Sequence, residues 1–219
     1  MKNNITELVF ILDRSGSMAN LTDDTIGGFN SLIEKQKAES GKCFVTTVLF
    51  DGQIERLHDR LDLQKVPVMT RRDYVPRGCT ALLDAVGTTI QHIASIHRYA
   101  RPKDVPENTL FVITTDGMEN ASHRFRKEEI RRMVETEQEE YGWQFIFLGA
   151  NIDSFGMAGS MGFRQEHITN FIADTDVMEA NYCSVNAAVT LARCSMPIRG
   201  KWKAEAESDY KKRSKKHLR

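Results

Sequence analysis

The residues with chemical capacity begin at Asp13-Arg14-Ser15-Gly16-Ser17, directly after the apolar run Leu8 to Leu12. In a locally extended loop, alternate side chains point the same way, so one carboxylate and two hydroxyls face a common point. Gly16 removes a side chain that would crowd that point and widens the backbone's choices. Hard oxygen donors of this kind suit magnesium, manganese or calcium, and suit zinc or copper poorly. Asp and Ser also favour turns and helix caps for local reasons, so the triplet by itself leaves a structural reading open. Two further segments bear on it. The run Leu110 to Thr114 leads into Thr115-Asp116-Gly117, which delivers a second carboxylate to a strand end, and Gly78-Cys79-Thr80-Ala81-Leu82-Leu83-Asp84-Ala85 places a threonine hydroxyl where a helix begins.

The elements that must position these groups follow from hydrophobic periodicity. Short apolar runs at Leu8 to Leu12, Phe44 to Phe50, Leu110 to Thr114, Trp143 to Leu148 and Ile168 to Ile172 read as strands. Helical patterns separate them, over Ile26 to Glu39, Ala81 to Arg98, Lys127 to Tyr141, Phe155 to Met161 and Asp176 to Cys194. Alternation of the two predicts an α/β domain, a mostly parallel sheet with helices on both faces. Asp51-Gly52 is a strong hairpin signal, so Gln53 to His58 is expected to return as an antiparallel edge strand. Thr80 can cap the second helix, and Thr175 or Asp176 can start the last. Ligand sites in open sheets of this class lie at the carboxyl ends of strands where the strand order reverses, and all three segments are expected there.

Taken together, D-x-S-x-S, G-x-T-x-L-x-D-A and T-D-G after an apolar strand, in that order, resemble the metal-ion-dependent adhesion site of von Willebrand factor type A domains. The resemblance covers roughly residues 5 to 195. It implies a doubly wound, Rossmann-like, six-stranded sheet of order 3-2-1-4-5-6 with one antiparallel edge strand. It also implies a metal shell of Asp13, Ser15, Ser17, Thr80 and Asp116, in which the serines bind directly and one or both aspartates act through water. Magnesium is the implied ion, with manganese or calcium as alternatives. Two carboxylates facing a dication that takes about six oxygens leave room for an acid from outside. The implied function is therefore capture of an Asp or Glu presented by a partner protein, without catalysis. By analogy with intracellular single-domain relatives, that partner belongs to an AAA+ ATPase-linked or stress-response assembly. In some relatives the last helix moves on capture.

A metal-assisted hydrolase or phosphoryl-transfer enzyme using the same strand-end aspartates is the alternative. Against it, the first strand does not end in D-x-D, no Walker lysine follows a glycine loop, and no His or Cys flanks the Asp13 motif. Gly117, Glu119 and Asn120 could shape the rim or orient water, although Glu119 and Asn120 fit the start of a helix equally well. Arg14 and Arg124 read as ordinary exposed arginines, with reading of a partner's charge as the other option. Asp84 reads as structural. His92 and His97 lie about 140° apart on their helix and make no zinc pair. Gly156 to Gly162 lacks G-x-G-x-x-G and reads as a short helix packed through small residues.

Lys plus Arg balances Asp plus Glu, 30 against 30, so nothing global draws the chain to nucleic acid or membrane. The four cysteines show no metal spacing and read as reduced, buried thiols. The N-terminal stretch reads as a strand rather than a signal peptide, and no apolar run reaches spanning length, which predicts a cytoplasmic protein. The expected domain covers residues 1–196. Residues 197–219 are expected to form a basic, flexible tail, through which alone nucleic acid or an acidic partner could be drawn.

Overall fold

The computed structural model describes residues 4–150, 153–171, 175–204 and 207, with side chains for all of these except 150, 171 and 175–181. Six strands, β1 (Ile5–Asp13), β2 (Lys42–Phe50), β3 (Ile54–Asp62), β4 (Asn108–Thr115), β5 (Gln144–Ala150) and β6 (Ile168–Phe171), form one sheet in the order β3-β2-β1-β4-β5-β6. Only the β2–β3 pair is antiparallel, closing around Asp51-Gly52 as the hairpin signal predicts. The helices are α1 (Thr22–Lys37), α2 (Leu82–Tyr99), α3 (Lys127–Glu140), α4 (Ser154–Ser160) and α5 (Thr175–Arg193). This is the mostly parallel α/β sheet expected from the alternation, in the doubly wound order that the family resemblance implies, with the sheet running in opposite senses from β1 and β4. Ile172, taken above into the last strand, lies outside the described residues.

Strand β1 is buried along its whole length, which is why it reads as a continuous apolar run. Its side chains alternate between two cores. Leu8, Phe10 and Leu12 meet Phe29 and Leu32 of α1 and Val185 and Ala188 of α5, whereas Val9 and Ile11 meet Val86 and Ile90 of α2 and Ile130 and Val134 of α3. Helices α1 and α5 approach closely because Gly28 carries no side chain: a Cβ there would lie 2.0 Å from Cδ2 of Tyr182. α1 starts about one turn before the expected Ile26, and a short 3-10 segment, Gly16–Leu21, bridges it to the Asp13 loop.

Chain past the expected domain end packs on the core. Patterning ended the domain at Met196, yet Ile198 and Trp202 are buried in the core beneath α5. Trp202 Nε1 donates to the Glu166 carbonyl, and Lys203 Nζ donates to those of Gln165 and Ile168. Two spaced apolar residues cannot display a period, so this packing left no pattern to read. Most of the basic tail, residues 208–219, lies outside the described residues. Among the described residues, no helix is long and apolar enough to cross a membrane.

Candidate metal centre

The parallel register sets Asp13 beside Phe50 and Leu12 beside Thr114, so β1 and β4 end side by side at the carboxyl edge of the sheet. The loops they release part to opposite faces, leaving a crevice between them. Asp13 forms its floor. Its Oδ1 accepts the Ser15 amide at 2.7 Å and its Oδ2 accepts the Thr115 hydroxyl at 2.5 Å. Ser15 Oγ lies 3.1 Å from Ser17 Oγ, and Ser17 Oγ donates to Asp116 Oδ1 at 2.6 Å. A Cβ on Gly117 would come within 2.8 Å of Thr80 Oγ1 and 3.6 Å of Ser17 Oγ, which places the third segment at the same point and explains the glycine. Asp13, Ser15, Ser17, Thr80 and Asp116 are thus brought together from three separate loops. Asp13, Ser15 and Thr80 are buried, while Ser17 is exposed and Asp116 half-buried, so the cluster has a closed floor and an open mouth.

The loops are clamped by groups whose jobs differ from those expected. Thr80 does not cap α2; the N-cap is Ala81, and its side chain caps nothing. The free amides of that helix start are met from across the crevice, where Glu119 Oε2 accepts Leu83 N at 2.9 Å and Ser122 Oγ accepts Asp84 N at 3.0 Å. A carboxylate at a helix N-terminus is favoured by the unpaired N–H groups and the helix dipole. Glu119 also accepts the amides of Ala121 and Ser122, and Asn120 both accepts the Thr80 amide and donates its own to the Thr80 carbonyl. Glu119 and Asn120 therefore lock the Thr80 loop to the Asp116 loop. Asp84 accepts three amides, those of His123, Arg124 and Phe125, all at 2.9 Å. Gly16 N donates to the Gly78 carbonyl at 3.2 Å, joining the first loop to the second.

Arg14 is the clearest departure from the sequence reading. It is buried rather than exposed, with Nε on Asp51 Oδ2 at 3.0 Å and a second nitrogen on Glu55 at 2.7 Å. Arg77 shares Asp51, so the β1 loop, the β2–β3 hairpin and the segment before Thr80 form one ionic knot. Arg124 is exposed and lies over the Phe125 ring. Two supports escaped the sequence altogether. Thr115 sits in the quoted T-D-G segment, whose spacing assigns it no role, and Tyr74, whose hydroxyl donates to the Asp13 carbonyl from the core, comes from irregular chain with no signal at all.

The electrostatics favour a cation. Burial raises Asp13 to about 6 despite the opposing hydrogen bonds from Thr115 and Ser15, and burial also raises Asp116 against the bond from Ser17. Among the described residues, neither carboxylate has a Lys, Arg or His within ion-pair distance, so no protein charge offsets the pair. A divalent cation fits this donor set, two carboxylates and three hydroxyls. Among the described residues no three His, Cys, Asp or Glu side chains gather as a metal cluster, so an ion here depends on the hydroxyls.

An open α/β sheet with hydroxyls and carboxylates converging at its switch point defines a Rossmann-like domain with a candidate cation site. The chain has the von Willebrand factor type A fold. It is similar to the von Willebrand domain of the type V pili tip protein Mfa5 from Porphyromonas gingivalis, with a TM-score of 0.60 and 11% identity over 85% of this chain and 95% of that one. It is also similar to manganese-loaded Plasmodium vivax TRAP protein (TM-score 0.58, 18% identity, 88% and 75% covered). A third similar structure is mussel byssus proximal thread matrix protein 1 with a zinc-occupied MIDAS motif (TM-score 0.58, 13% identity, 84% and 46% covered). The chain thus spans under half the length of the thread matrix protein. No family model and no curated protein matches the sequence.

Proposed function

We propose that this chain is a divalent-metal-dependent protein-binding module in which Asp13, Ser15, Ser17, Thr80 and Asp116 hold the ion and a partner's Asp or Glu completes its shell. The observation that carries the reading is the convergence of three loops on a buried and a half-buried carboxylate that, among the described residues, no cationic side chain pairs with. Two carboxylates and three hydroxyls supply five of the about six oxygens such an ion takes, which leaves a position for an incoming carboxylate. Magnesium is the resident ion of this reading; manganese and zinc in similar folds bring both into the test series. Binding is favoured over hydrolysis because the cluster offers no His, Cys or Lys as base or nucleophile. Four free cysteines, of which only Cys43 is buried, suit a reducing compartment and support a cytoplasmic setting. Partnership with an AAA+ ATPase assembly rests on the family resemblance alone.

Melting the chain in magnesium, manganese, calcium or zinc against chelator tests the ion. At a hundredfold excess over Kd, binding adds about 2.7 kcal/mol, which at roughly 2–4 °C per kcal/mol for a domain of this size raises Tm by about 5–10 °C. Asp116→Ala is expected to abolish the shift. A wild-type chain that melts alike in every metal and in chelator would falsify the metal reading. Crosslinked pull-downs with and without chelator then identify the partner, whose recovery is expected to require metal.

A further inference from the structure

On the face of the sheet that α2 and α3 cover, a cleft of about 680 Å³ runs between the two helices. Ile90 and Ala94 of α2 and Met133 of α3 give it an apolar wall. The helices lead into the parallel strands β4 and β5, so both run the same way and bring their last turns to the amino edge of the sheet. At that end Glu137 lines the cleft. It is 9% exposed, and among the described residues its carboxylate has neither a hydrogen bond nor an ion pair. A carboxylate held this far from water without a partner is costly, and such groups gather where a ligand completes them.

The charges of the lining divide between its two ends. Glu129 and Arg132 stand one turn apart on α3 and offset each other. At the amino edge a single cation, Arg98 of the last turn of α2, faces Glu137 and, one turn on, Glu140. Burial, and next the Glu140 carboxylate, push Glu137 up to about 6, and Arg98 opposes them least. The last turn of α3 has no basic residue to meet its free carbonyls, which add partial negative charge. With every side chain counted as ionised, this end is net negative. We propose that the cleft receives a Lys or Arg side chain of a partner protein, its aliphatic stem along Ala94 and Met133 and its cationic head on Glu137. Long basic side chains lay their stems on apolar surface and carry charge at the tip, which matches a wall that ends in an acid. None of the five candidate metal ligands lines the cleft, so this is a second binding surface and needs no metal.

The probe is a library of short displayed peptides with one fixed central Arg, selected on the full chain in chelator, where metal capture plays no part. A selected peptide is expected to weaken about tenfold or more when its Arg becomes Ala, and as much on the Glu137→Gln chain. That near-isosteric change removes an unpaired buried charge, so its Tm is expected to equal or exceed that of wild type. Glu140→Gln is expected to weaken binding about twofold and Arg98→Gln to tighten it about as much. Glu139→Gln, outside the cleft, is expected to change nothing. Selection of no peptide overturns the proposal, as does a set of peptides that binds Glu137→Gln as tightly as wild type. Binding only to a chain ended after Glu207 makes the chain's own residues 208–219 the occupant and overturns a partner's. A dimer in sedimentation that Glu137→Gln converts to monomer makes a second copy the occupant, with the same result.

Discussion

Asp13 concentrates the physics of the site in one residue. Its carboxyl is fully buried and raised to about 6. A folded-state value above the unfolded one, near 3.9, means the metal-free fold holds this proton more tightly than the unfolded chain. Its stabilising contribution is therefore complete below about pH 4 and is lost as pH rises through 6, by roughly 3 kcal/mol. Metal acts in the opposite sense, since protons compete for the same oxygens. The metal-induced Tm shift is expected to be large at pH 7.5 and to shrink as pH falls through about 6; a shift independent of pH across that window would sink the assignment of Asp13. Asp13→Asn keeps acceptors for Ser15 but removes the charge, so in chelator at pH 7.5 it is expected to melt higher than wild type and in metal to show no shift. The motif residues were legible because strand-end alternation is local. Arg14 was not, because its burial depends on Asp51 and Glu55, 37 and 41 positions away. Tyr74 was invisible for the same reason.

At the scale of elements, hydrogen-bonded loops matter as much as strands. Asp84 draws the β4–α3 connection onto α2 through three backbone amides. Asp84→Ala leaves those donors without their acceptor, and a loss of about 1–3 kcal/mol is expected by urea denaturation. Metal affinity should fall with it, since the same connection carries Asp116; unchanged affinity would separate the clamp from the site. Gly28→Ala pushes a methyl into the Tyr182 ring and is expected to cost about 1–3 kcal/mol by splitting α1 from α5. The strands and the hairpin were legible from period and turn chemistry. The clamp was not, since Glu119 and Asn120 carry ordinary helix-start chemistry until α2 is placed opposite them. Glu7 makes the same point, standing inside an apolar strand, fully buried, and held at 2.7 Å by Arg60 of β3.

For the whole molecule, the C-terminal chain past α5 closes one end of the sheet. A chain ended after Met196 loses the buried Ile198 and Trp202 and is expected to be destabilised by about 3–5 kcal/mol, while one ended after Glu207 should melt near wild type. At this closure His167 is buried, its Nε2 3.0 Å from the Ile198 carbonyl, and burial lowers its pKa. A lowered histidine stabilises the fold above its ordinary value near 6.5 and loses that contribution as pH falls. The strands, the hairpin and the motif segments were legible in the sequence, because alternation, turn chemistry and motif spacing act over a few neighbouring residues, whereas the strand order and the candidate ligand set came from the family resemblance those motifs carry. Tertiary structure alone decided which groups neutralise which. The ionic knot at Arg14, the clamp at Glu119, the support from Tyr74 and the packed end at Trp202 are contacts between distant segments, and burial, which sets their energies, has no value until the chain has folded.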